Sequence, residues 1–439
     1  MGEENKLHET VTNYLHKLES LHEVVPLSLG MAHMSGRTSN AKKNKFLEEN
    51  GELIDVNDNE KNYKLNLEHR KLYERLDKKV SRFLTALSVL PGKFLVAFVS
   101  EYDAFLGNLV KDIFRLKPEF LDNSDRSLSF SELKSMGSVE VAYEYILEKE
   151  VETLLRKSHS EQFDWLEKKF GLGLKKGLDS WPLFIEITER RNLLVHCDGI
   201  VSNQYLAVCR KHGVQLDDEI KVGTQLVTDR EYLAKAYRCL YEIGVKLTQV
   251  LWRKVFKNEI QKADMSLMEI SYNLIHDEEL ELSKRLLDFS TCTLKSWGDD
   301  SSRRAFVINR AQSYYHAGDY QDCLDILGNE DWTACSDRFQ ICVASLQRDY
   351  QKAKNIMERI GGNGSVLEAD YLDWPVFKDF RGTDEFKQAF QNVFKKDPAG
   401  NVSSFLEEPS IFDVLDDKEI EIIKGEILGT VKNEEANLP

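Results

Sequence analysis

RRNLLVHCDGI, residues 190–200, is the stretch on which the reading of this chain turns. The preceding WPLFIEITE (181–189) is apolar enough for a core helix, and Asp198-Gly199 is a stop signal. Yet Thr188 to Asn192 is a polar run holding two arginines, and a histidine follows at 196. On a helix turning about 100° per residue, Leu183, Ile187 and Leu194 form one stripe, with Phe184 and Val195 at its edge. Arg190 and Arg191 land on that same stripe, while Asn192 and His196 share the opposite face. An arginine in an apolar stripe costs several kcal/mol unless an anion pairs with it. Glu186, Glu189 or an acid on a neighbouring helix could supply that anion, leaving His196 as a helix-end residue favoured by the dipole. Otherwise the broken pattern marks a functional site.

Outward from this stretch the chain reads as helix. Its 439 residues exceed one compact core, so two or three domains are expected. A hydrophobic share of 42%, 30% charged residues and only 8 prolines fit a globular, helix-rich protein. The net charge of −15 argues against a surface coated for non-specific nucleic-acid binding, so any RNA contact should be local. Seven cysteines without a CxxC pair point to buried thiols in a reducing compartment rather than to zinc or disulfides. The opening residues lack the apolar region of a secretory signal, and no uninterrupted apolar run of about 18 residues suggests a membrane span. The expected location is the cytoplasm.

Residues 1–30 predict a short helix and the polar, Asn-rich 31–63 a loop or linker, whose Arg37, Lys42, Lys43 and Lys45 are candidate RNA contacts but fit a solvated linker better. A helix from 65 is expected to break at Pro91-Gly92, and the apolar 93–116 should be a central helix. Amphipathic segments follow at 138–157 and 160–170, a Gly-rich turn at 171–179, and a long helix over 229–256 capped by Asp229. GLGLKKGLD in that turn lacks the ending of a phosphate loop. No strand region of consequence is visible, so the predicted fold class is all-α.

The C-terminal part is repetitive. RAQSYYHAGDYQDCLDIL (310–327) and CVASLQRDYQKAKNIM (342–357) share a small residue, a turn, Asp-Tyr and an apolar helix, with Tyr320 and Tyr350 opening equivalent second helices. HDEELELSKRLLDF (276–289) repeats the pattern with Leu280 in the matching place. Ala311, Tyr314, Gly318 and Tyr320 resemble the small, aromatic, turn and aromatic positions of tetratricopeptide-type repeats, although the starts are 40 and then 30 residues apart. Residues 373–394 read as capping helices.

Arg191-Asn192-Leu193-Leu194-Val195-His196 resembles the R-N-x-x-x-H motif of the HEPN superfamily, all-α domains among which are many RNA-cleaving toxins and defence effectors. HCDGIVSNQYL is similar to the continuation of some members, with Cys197 in place of an asparagine. Asp198 stands where nucleotidyltransferase-paired toxins carry tyrosine, which disfavours that subgroup. The resemblance spans about residues 93–260. It implies catalysis by Arg191, Asn192 and His196, with Arg190 as a possible substrate contact and with no cofactor or metal. The chemistry is coherent, since RNA carries its own nucleophile in the 2′-OH. Histidine can then move protons near neutral pH, and arginine can hold phosphate oxygens in pairs. Arg191 and His196 lie about 140° apart on one helix, so a homodimer that pairs two such helices is expected.

The domains expected are an N-terminal helical segment with its linker (1–92), an HEPN-like bundle (93–262), a helical-repeat array (263–396) and an acidic tail (397–439). RNA is the expected substrate and the repeats are a candidate surface for a protein partner; no membrane partner is expected. The alternatives are a non-catalytic dimerising or RNA-binding module and a helical-repeat adaptor.

Overall fold

The computed structural model describes residues 5–57, 60–121 and 127–398. It is all-α apart from one two-stranded sheet. Helix α1 (Lys6–Asn50) leads into a β-hairpin, β1 (Gly51–Asn57) and β2 (Glu60–Leu65), from which α2 (Leu67–Leu116) returns. The strands are antiparallel, with Gly51 opposite Leu65 and a register shift between Leu53 and Asp55. The two long helices pair side by side and form an arm with the hairpin at its tip.

This arm corrects three expectations. The segment 31–63 is helix and hairpin, not linker; the helix begun in 1–30 does not stop; and α2 runs unbroken through Pro91-Gly92. The seam explains the first two. Along α1 the buried residues change from Leu7, Val11, Tyr14, Leu15 and Leu18 to His33, Gly36 and Ser39, small or polar groups that admit α2 closely. A close seam of that kind carries no apolar periodicity. At Gly92 the reason is local: a Cβ there would meet Leu194 at 3.1 Å, so the site serves helix packing rather than termination. By length and composition α2 is also long and apolar enough to cross a membrane, and 28% of its most apolar stretch is buried, while its C-terminal half, Leu95 to Phe114, lines the protein core.

After α2 come α3 (Phe130–Met136), α4 (Val139–Leu155), α5 (His159–Phe170), α6 (Trp181–His196), α7 (Asn203–Lys211) and α8 (Arg230–Val255). Asp229 caps α8 by accepting a hydrogen bond from the Tyr232 amide at 2.7 Å. The array follows as α9 (Ile260–His276), α10 (Leu280–Asp288), α11 (Asp300–His316), α12 (Tyr320–Gly328), α13 (Asp337–Leu346) and α14 (Tyr350–Ile360). Short helices α15 (Glu368–Asp373), α16 (Lys378–Arg381) and α17 (Asp384–Phe394) close it. The acidic tail from 399 lies outside the described residues.

One continuous core joins the base of the arm, α2, α4 to α6, α8, α9 and α10, reaching from Leu7 to Phe306. A second runs from Val307 to Phe390. Packing therefore does not divide at 92/93 or at 262/263: Leu267, Ile270 and Leu274 of α9 belong to the first core.

The repeated turns share one construction. Second helices begin at Leu280, Tyr320 and Tyr350, as their spacing predicts. Two residues before each start, Glu278, Gly318 and Arg348 take φ of 59°, 90° and 60°. The next amide then reaches back to close the helix end: Glu279 to Leu274, Asp319 to Tyr314 and Asp349 to Ala344, each at 2.9 Å. Only the middle turn uses glycine, and a Cβ at Gly318 would meet nothing within 4 Å. Gly318→Ala therefore tests backbone strain alone and should cost ~1–2 kcal/mol in urea unfolding. An unchanged midpoint would contradict the turn geometry.

Candidate functional site

Helix α6 is held by a buried polar hub. Glu186 accepts from Arg190 Nε at 2.7 Å, from the Tyr205 hydroxyl at 2.6 Å and from the Tyr232 hydroxyl. Arg190 also donates to the Val227 carbonyl at 3.0 Å and lies 3.9 Å over the Tyr232 ring. Burial opposes its charge, but Tyr232 and Glu186 outweigh that and raise its pKa. Burial, followed by Glu186, pushes both tyrosine hydroxyls up, so they remain donors. Arg190, expected as a possible substrate contact, is thus 8% exposed and bound to structure.

Arg191 points elsewhere. It pairs with Asp103 of α2, and its Nη1 donates to Asn192 Oδ1 at 3.2 Å. The other oxygen of Asp103 lies 2.9 Å from Nε2 of His159, which opens α5. Three helices thus meet at a carboxylate shared between an arginine and a histidine. Half-buried Glu189 stands near; burial raises its pKa, while His159 and Arg191 pull it down. Arg191 Nε and the Tyr102 hydroxyl are buried without a partner. The Arg191 and Asp103 side chains keep 21% and 25% of their surface in solvent, so the cluster sits at an edge.

His196 is the last residue of α6 and is exposed, with no hydrogen bond or ion pair among the described residues. The stop expected after it is present: Asp198 and Gly199 both have positive φ, and the Gly199 amide bonds the Leu193 carbonyl at 3.0 Å. The chain is then pinned by Gln225, which donates to the Asp198 carbonyl at 2.6 Å. Of the four site residues expected from sequence, Arg191 and Asn192 touch, His196 stands apart in solvent, and Arg190 is withdrawn into the core. Asp103 and His159 went unnoticed in the sequence. The signal available was an acid inside the apolar 93–116 helix. Among the described residues no group of three or more His, Cys, Asp or Glu converges as a metal site.

A separate cleft of about 850 Å³ lies along the first helices of the array, α9, α11 and α13. Met265, Met268, Tyr272, Phe339 and Trp374 line it, with Arg338 stacked 4.8 Å over Trp374. Comparisons with family models, curated proteins and solved structures give no match to this chain.

The two arginines should separate in a stability measurement. Arg190→Ala leaves Glu186 charged and buried and should cost about 3–5 kcal/mol. Arg191→Ala frees a carboxylate that water already reaches and should cost about 1 kcal/mol or less. Equal losses would mean that both arginines are structural.

Proposed function

We propose that the protein is a metal-independent endoribonuclease of HEPN type, a toxin or defence effector, in which Arg191, Asn192 and His196 act on RNA. The observation that supports this reading best is the division of labour between adjacent arginines. Arg190 is consumed by the hub, whereas Arg191 stays at a solvent edge with its fork oriented by Asp103 and Asn192. An exposed histidine, without a partner among the described residues, then follows on the same helix.

In this reading the 2′-oxygen attacks the adjacent phosphorus, the bond from phosphorus to the 5′-oxygen breaks, and a 2′,3′-cyclic phosphate and a 5′-hydroxyl result. One His196 takes the 2′-OH proton and the His196 of a second protomer delivers a proton to the leaving oxygen. Arg191 leaves Asp103 for the phosphate and matches its developing charge, while Asn192 steadies the guanidinium. A second protomer is the natural source of the other histidine. Val195 and Ile200, on either side of His196 in sequence, are 47% and 45% exposed, apolar surface suited to a two-fold contact.

A second reading, a helical-repeat adaptor, is favoured by the cleft of α9, α11 and α13, which is large enough to seat a partner segment.

Purified protein incubated with RNA in EDTA tests the nuclease reading. Cleavage to cyclic phosphate ends is expected, and Arg191→Ala and His196→Ala should each lower the rate roughly 10²–10⁴-fold. Cleavage that vanishes in EDTA and returns with Mg²⁺ would contradict the mechanism; no cleavage under any condition would remove the nuclease reading.

A further inference from the structure

The arm carries a charge opposite to that of the rest of the chain. Residues 37–45 and 70–82 hold ten of the 59 Lys and Arg and only two of the 74 Asp and Glu. These two segments therefore carry +8, and the whole of 37–82 carries +3, on a chain whose total is −15. Pairing of α1 with α2 brings these segments together, as the contact of Lys43 Nζ with Asp77 at 3.2 Å shows.

The cations of α2 are also ordered. At about 100° per residue, Lys71, Arg75, Lys78, Lys79 and Arg82 fall within one arc of about 100° and span about 16 Å of helix. All five are exposed, and among the described residues none has an ion pair or hydrogen-bond partner. Steps of three or four residues rise about 4.5–6 Å, comparable to the spacing of phosphates along one strand. The distal cations of α1, Arg37, Lys42 and Lys45, are exposed on the neighbouring helix.

We propose that this face of the arm binds single-stranded RNA through its phosphates, as the docking surface for the substrate of the site on α6. The identity of the strand rests on the endoribonuclease reading; the polyanion does not. A row of cations without interleaved aromatic side chains contacts backbone rather than bases, so binding should be strong at low salt and indifferent to sequence. An anionic membrane fits less well. A surface helix needs a free apolar face opposite its charges, and here Val80, opposite the cations of α2, is buried, while Phe83 at their flank faces Gly36 of α1.

The test uses the full chain and a fluorescent 2′-O-methyl RNA 20-mer, which has no 2′-OH and stays intact. Five phosphate contacts predict a fall in affinity of about 100-fold between 50 and 200 mM salt. The variant Lys71→Gln, Arg75→Gln, Lys78→Gln, Lys79→Gln, Arg82→Gln should bind far more weakly at 50 mM and lose most of that salt dependence, with an unchanged thermal melt. His196→Ala should bind like wild type, and the stripe variant should still cleave a dinucleotide too short to reach the arm. Loss of binding in the stripe variant without cleavage by wild type would retain the docking surface and remove the nuclease reading. Equal RNA affinity of stripe variant and wild type would overturn the proposal. So would wild type that ignores RNA but binds phosphatidylserine vesicles through the same five residues.

Discussion

The buried bonds that tie Glu186 and Arg190 to Tyr205, Tyr232 and the Val227 carbonyl set the roll of α6, and what the protein can do at its surface depends on that roll. A carboxylate so enclosed needs every lone pair used, and Arg190, Tyr205 and Tyr232 use them from three different helices. Rotation of α6 by one residue would carry Glu186 and Arg190 away from Tyr205 and Tyr232 together and bring Ile187 and Arg191 in their place. With the hub formed, Arg191 meets Asp103 at the edge and His196 ends in solvent. The charge in the core is thus an alignment device, and its desolvation cost is offset only while all its partners remain.

A helical wheel could place both arginines on the apolar stripe but could not tell them apart. The distinction comes from groups far away in sequence: Tyr232 and the Val227 carbonyl for Arg190, Asp103 and through it His159 for Arg191. Both acid partners were legible as a type, since an arginine in such a stripe demands an anion. Which acid served which arginine was decided by tertiary packing. His159 gave no local sign, because a histidine at the start of an amphipathic helix looks like an ordinary first-turn residue.

The same contrast runs through the fold. The C-terminal array was readable almost to the residue because its turns are set by local chemistry: a helix end, a left-handed residue and an acid before the next start. The arm was not readable, because its helices are joined by a seam of His33, Gly36 and Ser39 that looks like a linker in one dimension. A polar, glycine-bearing stretch is a loop when alone and a tight helix interface when a partner helix lies beside it. The cations of residues 37–45 change meaning in the same way, from a solvated linker to half of a positively charged surface.

The central claim, that the Glu186 hub ties α6 to α8, is tested most directly by a double-mutant cycle on unfolding free energy. Its corners are wild type, Glu186→Leu, Tyr232→Phe and the double variant. The Tyr232 hydroxyl donates to the Glu186 carboxylate across the two helices, so the double variant should cost less than the sum of the singles by at least about 1 kcal/mol. Losses that add to within about 0.5 kcal/mol would contradict the account, because Glu186 and Tyr232 would then contribute independently and α6 would be aligned by packing alone.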